Sequence, residues 1–324
     1  MSSFHHPSIL LVGHFAIDTI IKNKRKNDPT LGGSVSFGSL SLNTYSPDIN
    51  IGIISIIGKK NFNNQLLDKV RNRNINLTGV KWVDSDNTNF VLDYHDHTRT
   101  LILKLKSPDL DFEDVPTEYI ENPPEVIILA PLCNEISQEY VSLILEEFPN
   151  ALIGIDLQGF IRKIDDDGLV SYIQEKKIIR NMRKIIDLVG ERLILKGSEV
   201  EMKLLAGGSE DLDDVMAHFE DFNLKGLYIM TLGEAGSMLI RHGEELLYIP
   251  AFTSRGVVDE TGAGDVYFAI FLHEYINSDM SWSAVQKAAY LASSAASFLV
   301  EAIGTAGFET KEEVLKRVKQ KNYI

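Results

Sequence analysis

The sequence predicts a three-layer α/β/α sandwich: a mostly parallel central sheet covered by helices on both faces, with a small extra β-sheet inserted into it. Three observations carry this. From Pro123-Pro124 onward, short strand patterns alternate with helical ones, the rhythm of βαβ units joined by crossover helices. The strand candidates are near-continuous apolar runs, as expected where both faces of a parallel sheet are buried. Two early stretches, about 15–30 and 87–106, are extended but break the alternation, so they belong to an inserted sheet within a single domain spanning 1–324.

Taken in order, residues 8–13 form an apolar run ending in Gly13, a buried parallel strand. Residues 16–22 are a second extended segment, closed by a basic, polar turn over 24–29. Gly32-Gly33 leads into 34–43, whose small and apolar residues suit a tightly packed helix; a strand over 49–57 and a helix over 61–73 follow. Residues 87–94 and 98–106 flank His95-Asp96-His97 as a hairpin whose tip reads as a solvated turn, since alternate residues splay rather than converge on one ion. The regular part then runs strand 126–130, helix 137–147, strand 151–156, helix 180–189, strand 192–195, helices 199–205 and 211–222, and strand 226–231. Residues 237–240 and 246–252 resemble antiparallel strands at one sheet edge, and helices over 266–276, 281–300 and 311–319 close the chain.

At 324 residues, with 44% hydrophobic and 24% charged residues, the chain has the composition of a globular protein with a sizeable core. Its formal charge of −14 disfavours nucleic acid and anionic membrane surfaces as partners. An anionic ligand would therefore depend on a local positive field from helix ends and a metal ion. No run approaches a membrane span and the first residues lack a basic-then-apolar signal pattern, so a cytoplasmic protein is expected. The single Cys133 excludes an intramolecular disulfide and fits a reducing compartment.

The most informative stretch is Asp259-Glu260-Thr261-Gly262-Ala263-Gly264-Asp265, which opens an apolar helix. Gly262, Ala263 and Gly264 let backbone N–H groups approach an anion, and a helix starting there aims its unpaired N–H groups and positive dipole end at the same point. Asp265 falls in the first turn beside that anion. A carboxylate so placed is electrostatically odd unless it takes a proton from a nucleophile attacking the anion. The combination reads as phosphoryl transfer to an alcohol. Earlier, Asp18 follows the first strand, where ligands of open parallel sheets collect, and can accept hydrogen bonds from neighbouring hydroxyls of a sugar or polyol.

The D-x-T-G-A-G-D stretch resembles the signature of the ribokinase-like (PfkB) carbohydrate kinases, and further segments extend the resemblance over essentially the whole chain. Gly32 and Gly33 resemble the family's first signature, which brings backbone close to the acceptor. Asp156-Leu157-Gln158-Gly159-Phe160-Ile161-Arg162 resembles its D-x-N-x-R segment with Gln158 in place of Asn; Arg162 would bind substrate oxygens or neutralise the moving phosphoryl group, unless it pairs with the acidic run 165–167. Ser198-x-x-Glu201 departs from the family's N-x-x-E. Glu201 would hold Mg²⁺ through water, though a capping box explains the same two residues. Thr231, Gly233 and Gly236 resemble the T-x-G-x-x-G turn at the ATP site.

The resemblance implies that the inserted sheet is a lid closing over the acceptor, with Thr88 and Arg99 as its contacts. It also implies that Asp265 is the general base, that Gly262 to Gly264 cradle the γ-phosphoryl group, and that ATP and Mg²⁺ are the cofactors. A monovalent cation such as K⁺ would sit near Asp259 and Gly304. Within the family the motifs look most like archaeal-type myo-inositol kinases, which implies a sugar or cyclic polyol acceptor. Phe37, Phe90 and Phe160 keep a nucleoside open, and Ser198 in place of Asn keeps open a sugar or nucleotide sensor without turnover. An exposed lid edge permits a homodimer without compelling one.

Overall fold

The computed structural model describes residues 7–22, 25–95, 98–172, 175–222 and 226–324, with the side chains of 95, 98, 99, 221 and 222 outside that description. Asp96 and His97 of the hairpin tip, and the side chain of Arg99, therefore lie outside the described residues.

In chain order the strands are β1 (Ile9–Val12), β2 (Ala16–Lys22), β3 (Arg25–Lys26), β4 (Thr30–Gly32), β5 (Ile51–Gly58), β6 (Ile75–Val83), β7 (Asn89–His95) and β8 (Thr98–Leu105). They continue as β9 (Val126–Leu129), β10 (Leu152–Asp156), β11 (Arg162–Ile164), β12 (Val170–Tyr172), β13 (Leu193–Ser198), β14 (Leu227–Thr231), β15 (Ser237–Arg241) and β16 (Leu247–Ile249). The helices are α1 (Ser34–Tyr45), α2 (Asp68–Arg71), α3 (Thr117–Glu121), α4 (Gln138–Glu147), α5 (Gln158–Ile161), α6 (Lys176–Val189), α7 (Glu199–Ala206), α8 (Leu212–Phe222), α9 (Ala263–Ile276), α10 (Trp282–Leu299) and α11 (Lys311–Gln320).

Nine strands form the central sheet in the order β16-β15-β14-β13-β10-β9-β1-β5-β6. Every neighbouring pair from β14 to β6 is parallel, and β15 and β16 add an antiparallel edge. Side chains alternate between the sheet's faces with period 2, which divides each apolar strand between two cores. Ile9 and Leu11 of β1 join one core with residues of α1, α9 and α10, while Leu10 and Val12 join the other with residues of α4, α6 and α8. This double burial is why β1 and β9 are wholly apolar and wholly buried.

The two early extended stretches pair with one another. Strands β3, β2, β7 and β8 line up in a second sheet, with β4 also paired to β2. Two expectations need correcting. The helix expected over 61–73 shrinks to a 3₁₀ turn, Asn64–Leu67, and the single turn of α2; strand β6 follows it unforeseen. β6 is the sheet's edge, so only part of it is buried and its polar residues dilute the apolar pattern. Its register also shifts near Gly79, where a Cβ would lie 2.5 Å from the Ile53 carbonyl oxygen. The short β11–β12 hairpin was likewise unmarked by pattern; its acidic turn closes on Asp165, whose carboxylate accepts the N–H groups of Asp167 and Leu169. No helix among the described residues is long and apolar enough to cross a membrane.

Candidate active site

The carboxyl ends of β10, β13 and β14, the loop before α9 and one face of the second sheet enclose a cleft of about 400 Å³. Open parallel sheets bind ligands at this end, where strands stop and helix N-termini begin. Asp18, Gly33, Gln158, Arg162, Ser198, Glu201, Thr231, Gly233, Gly262, Gly264 and Asp265 all line it, so most residues singled out in the sequence converge on one space.

Helix α9 starts at Ala263, three residues earlier than its apolar pattern, with Gly262 as N-cap at φ 83°. A Cβ on Gly262 would also fall 2.2 Å from the Phe37 ring, so both backbone conformation and space demand glycine. The Ala263 N–H donates to the Glu260 carbonyl at 3.2 Å, which takes it out of the anion cradle expected of it. Gly264 and Asp265 follow in the first turn, whose N–H groups lack partners within the helix. The Asp265 carboxylate is hydrogen-bonded by Ser34 and is pushed up to about 6 by burial and by the neighbouring Asp156; Lys196, Ser34 and Arg162 oppose the rise. A carboxyl near 6 is ionised at neutral pH yet still able to hold a proton.

Beneath α9, Asp156 and Lys196 are register partners on the adjacent parallel strands β10 and β13. Their side chains form a buried ion pair at 2.6 Å. Arg162 is locked: its NH1 donates to the Leu132 carbonyl at 2.8 Å, its NH2 to Gln158 Oε1 at 2.9 Å and its Nε to the Tyr172 hydroxyl at 3.3 Å. It makes no pair with the acidic run 165–167. Gln158 also donates to Ser34 Oγ at 2.9 Å, which links Arg162 through two side chains to Asp265. Tyr172 donates to Glu201 Oε1 at 2.8 Å, and Glu201 Oε2 accepts the Ser198 N–H at 2.7 Å in a complete capping box at the start of α7. With both oxygens already accepting hydrogen bonds, Glu201 fits a carboxylate that reaches a hydrated metal through water better than a direct ligand.

At the other end, Asp18 lies against Gly32, where a Cβ would fall 1.9 Å from its Oδ2. Gly32→Ala is therefore expected to displace this carboxylate and, on the acceptor role the family resemblance implies for Asp18, to raise the acceptor KM by about 10-fold or more with the donor KM unchanged, as initial-rate kinetics would show. Ala16, Phe90, Leu92 and Leu101 give the second sheet an apolar wall on which Asp18 also stands, beside its register partner Phe90, and Leu132 and Phe37 line the same cleft. Two expected residues are elsewhere. Phe160 is buried in the core, and Thr88 is fully buried outside the cleft. The Thr88 hydroxyl pairs with His14 Nδ1 at 2.9 Å and accepts the Ser107 N–H, a structural role at the junction of the two sheets.

A second cleft of about 300 Å³ adjoins the first, sharing Thr231, Gly233, Glu260 and Gly264 with it. Gly236, Ala263, Phe252, Tyr267 and Ile324 help line it. Gly236 has φ 95°, and a Cβ there would strike the Ile249 carbonyl oxygen at 2.0 Å. Asp259 lines neither cleft; its two oxygens accept the N–H groups of Thr261 and Gly304, tying the loop before α9 to 304–306.

Sequence reasoning missed Lys196, Ser34, Tyr172 and Glu260 as cleft residues. Lys196 had a signal, a single charge at the end of the apolar run Leu193-Ile194-Leu195. Tyr172 had none, because it reaches the cleft through the unforeseen hairpin.

Residues 48–312 match the pfkB family carbohydrate kinase model. A deoxyribokinase from Salmonella typhi is 34% identical over 98 residues, 29% of this chain; the match spans 31% of that protein's length. The fold superposes on Thermotoga maritima ribokinase with a TM-score of 0.73 at 18% identity, covering 97% of this chain and 99% of that one. A pyrophosphate-dependent myo-inositol-1 kinase variant gives 0.73 at 17% identity, covering 98% and 100%. With the family match extending over most of its length, the chain belongs to the pfkB carbohydrate kinases and has the ribokinase-like fold.

Proposed function

We propose that this protein transfers the γ-phosphoryl group of ATP to a hydroxyl of a sugar or cyclic polyol, with Asp265 as general base. The observation that carries this is the position of Asp265 in one cleft between the glycine-capped start of α9 and Asp18. The acceptor oxygen forms a bond to the γ-phosphorus, the bond from that phosphorus to the ADP oxygen breaks, and the hydroxyl proton passes to Asp265. Ser34 orients the base, Asp18 holds the acceptor hydroxyls, and the apolar wall of the second sheet acts as a lid that excludes water. Bound Mg²⁺ would spread the charge of the donor phosphates, and Glu201 is the residue that would support it through water. Asp259, a buried carboxylate held by two backbone N–H groups, is the residue that would face a monovalent cation.

The second cleft supports a nucleotide as donor. Its largely apolar walls and its shared edge with the anion loop suit a base and ribose, which pyrophosphate lacks. Arg162, one of the two described cations that line the first cleft, has its Nε, NH1 and NH2 engaged by protein groups, which favours an acceptor without a phosphate of its own. A nucleoside acceptor is the second reading, favoured by Phe37 and Phe90 in the lining. The test is ADP release, coupled to a spectroscopic readout, against myo-inositol, hexoses, pentoses and nucleosides, with pyrophosphate as alternative donor. Turnover with a sugar or polyol supports the proposal; turnover with nucleosides alone selects the second reading. Tight binding without turnover by any acceptor would show a sensor instead.

A further inference from the structure

We propose that Lys196 is the fixed cation of the phosphoryl-transfer site, held by Asp156 and acting on the transferring group from beneath Gly264. This rests on the kinase reading above. Lys196 directly follows the buried apolar run Leu193-Ile194-Leu195 of β13, and its side chain is almost wholly enclosed. Burying a lysine–aspartate pair there carries a desolvation cost that well-packed apolar residues would avoid, so a pair kept in such a place calls for a use.

Geometry supplies the use. A Cβ built on Gly264 would lie 3.1 Å from Lys196 Nζ, so the ammonium abuts the anion-loop backbone with no side chain between them. The Phe268 ring, one turn further along α9, lies 5.9 Å from the same nitrogen and closes another side. Among the described residues Asp156 is its one hydrogen-bond partner, and an ammonium has three donors. Arg162, the other buried cation lining the cleft, has its Nε, NH1 and NH2 engaged already. Lys196 is thus the described cation placed to meet charge that develops at the first turn of α9.

The charged groups acting on it come from three elements, Asp156 of β10, Asp265 of α9 and Glu201 of α7, and Arg162 of β11 acts on the same three carboxylates. Before a donor binds, the ammonium offsets both aspartates. During transfer it faces the phosphoryl oxygens while the acceptor–phosphorus bond forms and the bond to ADP breaks. It gains and loses no proton; the hydroxyl proton goes to Asp265. Lys196 also favours the ionised form of Asp265, and Asp156 opposes it.

The experiment compares wild type, Lys196→Met, Asp156→Asn and the double variant in acceptor-dependent ADP release across pH. Calorimetric titration with MgADP gives a readout independent of turnover. Lys196→Met is expected to lower kcat by about 100-fold or more with the acceptor KM and MgADP affinity close to wild type. Its acidic limb should move to higher pH, whereas that of Asp156→Asn should move to lower pH. The double variant, which leaves no uncompensated charge, should fold and remain slow. A double variant restored to near wild-type kcat would overturn the proposal and leave Lys196 as the partner of a structural ion pair. So would an unmoved acidic limb in Lys196→Met. Should Lys196→Met not fold, the uncharged double variant decides the same question. A wild type that turns over no acceptor sinks the kinase reading, and this inference with it, before any variant is compared.

Discussion

Asp265→Asn is expected to lower kcat by about 10³-fold while leaving ATP affinity near wild type. Asparagine keeps the size and the hydrogen bond to Ser34 but cannot take the acceptor's proton, and general-base removal is typically worth this much. Because the loss is confined to the transition state, kcat and kcat/KM should fall together. In the wild type the base must be ionised. With its carboxyl pushed up to about 6, kcat/KM should fall tenfold per pH unit below that value and level off above it. The same shift has a stability consequence of opposite sign. A folded-state value raised above 3.8 contributes stability that is fully present below pH 3.8 and is lost as pH rises to about 6. Asp265→Asn removes that penalty, so its Tm at pH 7.5 should exceed the wild type's even as activity vanishes. Thermal denaturation and initial rates on the same preparation check both. A lower Tm with retained activity would remove Asp265 from the role of base.

Much of this site could be read from the chain because its residues sit at strand ends and helix starts, where chemistry and backbone punctuation coincide. Gln158, Ser198, Thr231 and Asp265 each end a strand or open a helix, and all reach one cleft together with Asp18 of β2. The central sheet was legible for the same reason: strands buried on both faces are continuous apolar words. Edge strand β6 was not, since its exposed side carries polar residues and its glycine marks a register shift rather than a turn. Tyr172 and Lys196 escaped for another reason. Their roles depend on which strands lie side by side, and the register of Asp156 with Lys196 is a pairing that no local pattern encodes. Thr88 failed in the opposite direction. Its place beside the inserted strands made it look like an acceptor contact, yet its hydroxyl points into a buried polar cluster shared with His14.

That cluster sets the second large effect: Glu135→Ala is expected to destabilise the protein by about 3–5 kcal/mol. Glu135 is fully buried, and its two oxygens accept the N–H groups of Leu132, Cys133 and His14 at 2.8–3.2 Å. Alanine would leave these three donors without an acceptor in a space water does not reach. Those residues occupy a strategic place. His14 lies between β1 of the central sheet and β2 of the second; its Nε2 is 2.9 Å from the Pro108 carbonyl after β8, and its Nδ1 meets Thr88 before β7. The crossings between the sheets are therefore fixed through one carboxylate. Leu132 also lines the cleft and its carbonyl holds Arg162, so the damage should reach the cleft and lower kcat/KM in the fraction that stays folded. For a chain of this size the Tm should drop by about 5–10 °C. Glu135→Gln, which keeps one acceptor oxygen but turns a donor toward the N–H groups, should fall between. The pH response separates this cluster from Asp265. Burial holds His14 below its ordinary value against the pull of Glu135. Burial alone would raise Glu135, but His14 and the Cys133 and Leu132 N–H groups outweigh it and hold it low. Both depressed groups contribute stability that is present above their unfolded values and lost on acidification, from 6.5 downward for His14 and from 4.5 downward for Glu135. Wild-type Tm should therefore decline as pH falls from neutrality to 4, and Glu135→Ala, which keeps His14, should start lower, retain the decline between 6.5 and 4.5 and lose the part below 4.5 that belongs to Glu135. An unchanged decline below pH 4.5 in that variant would place this acid sensitivity outside Glu135.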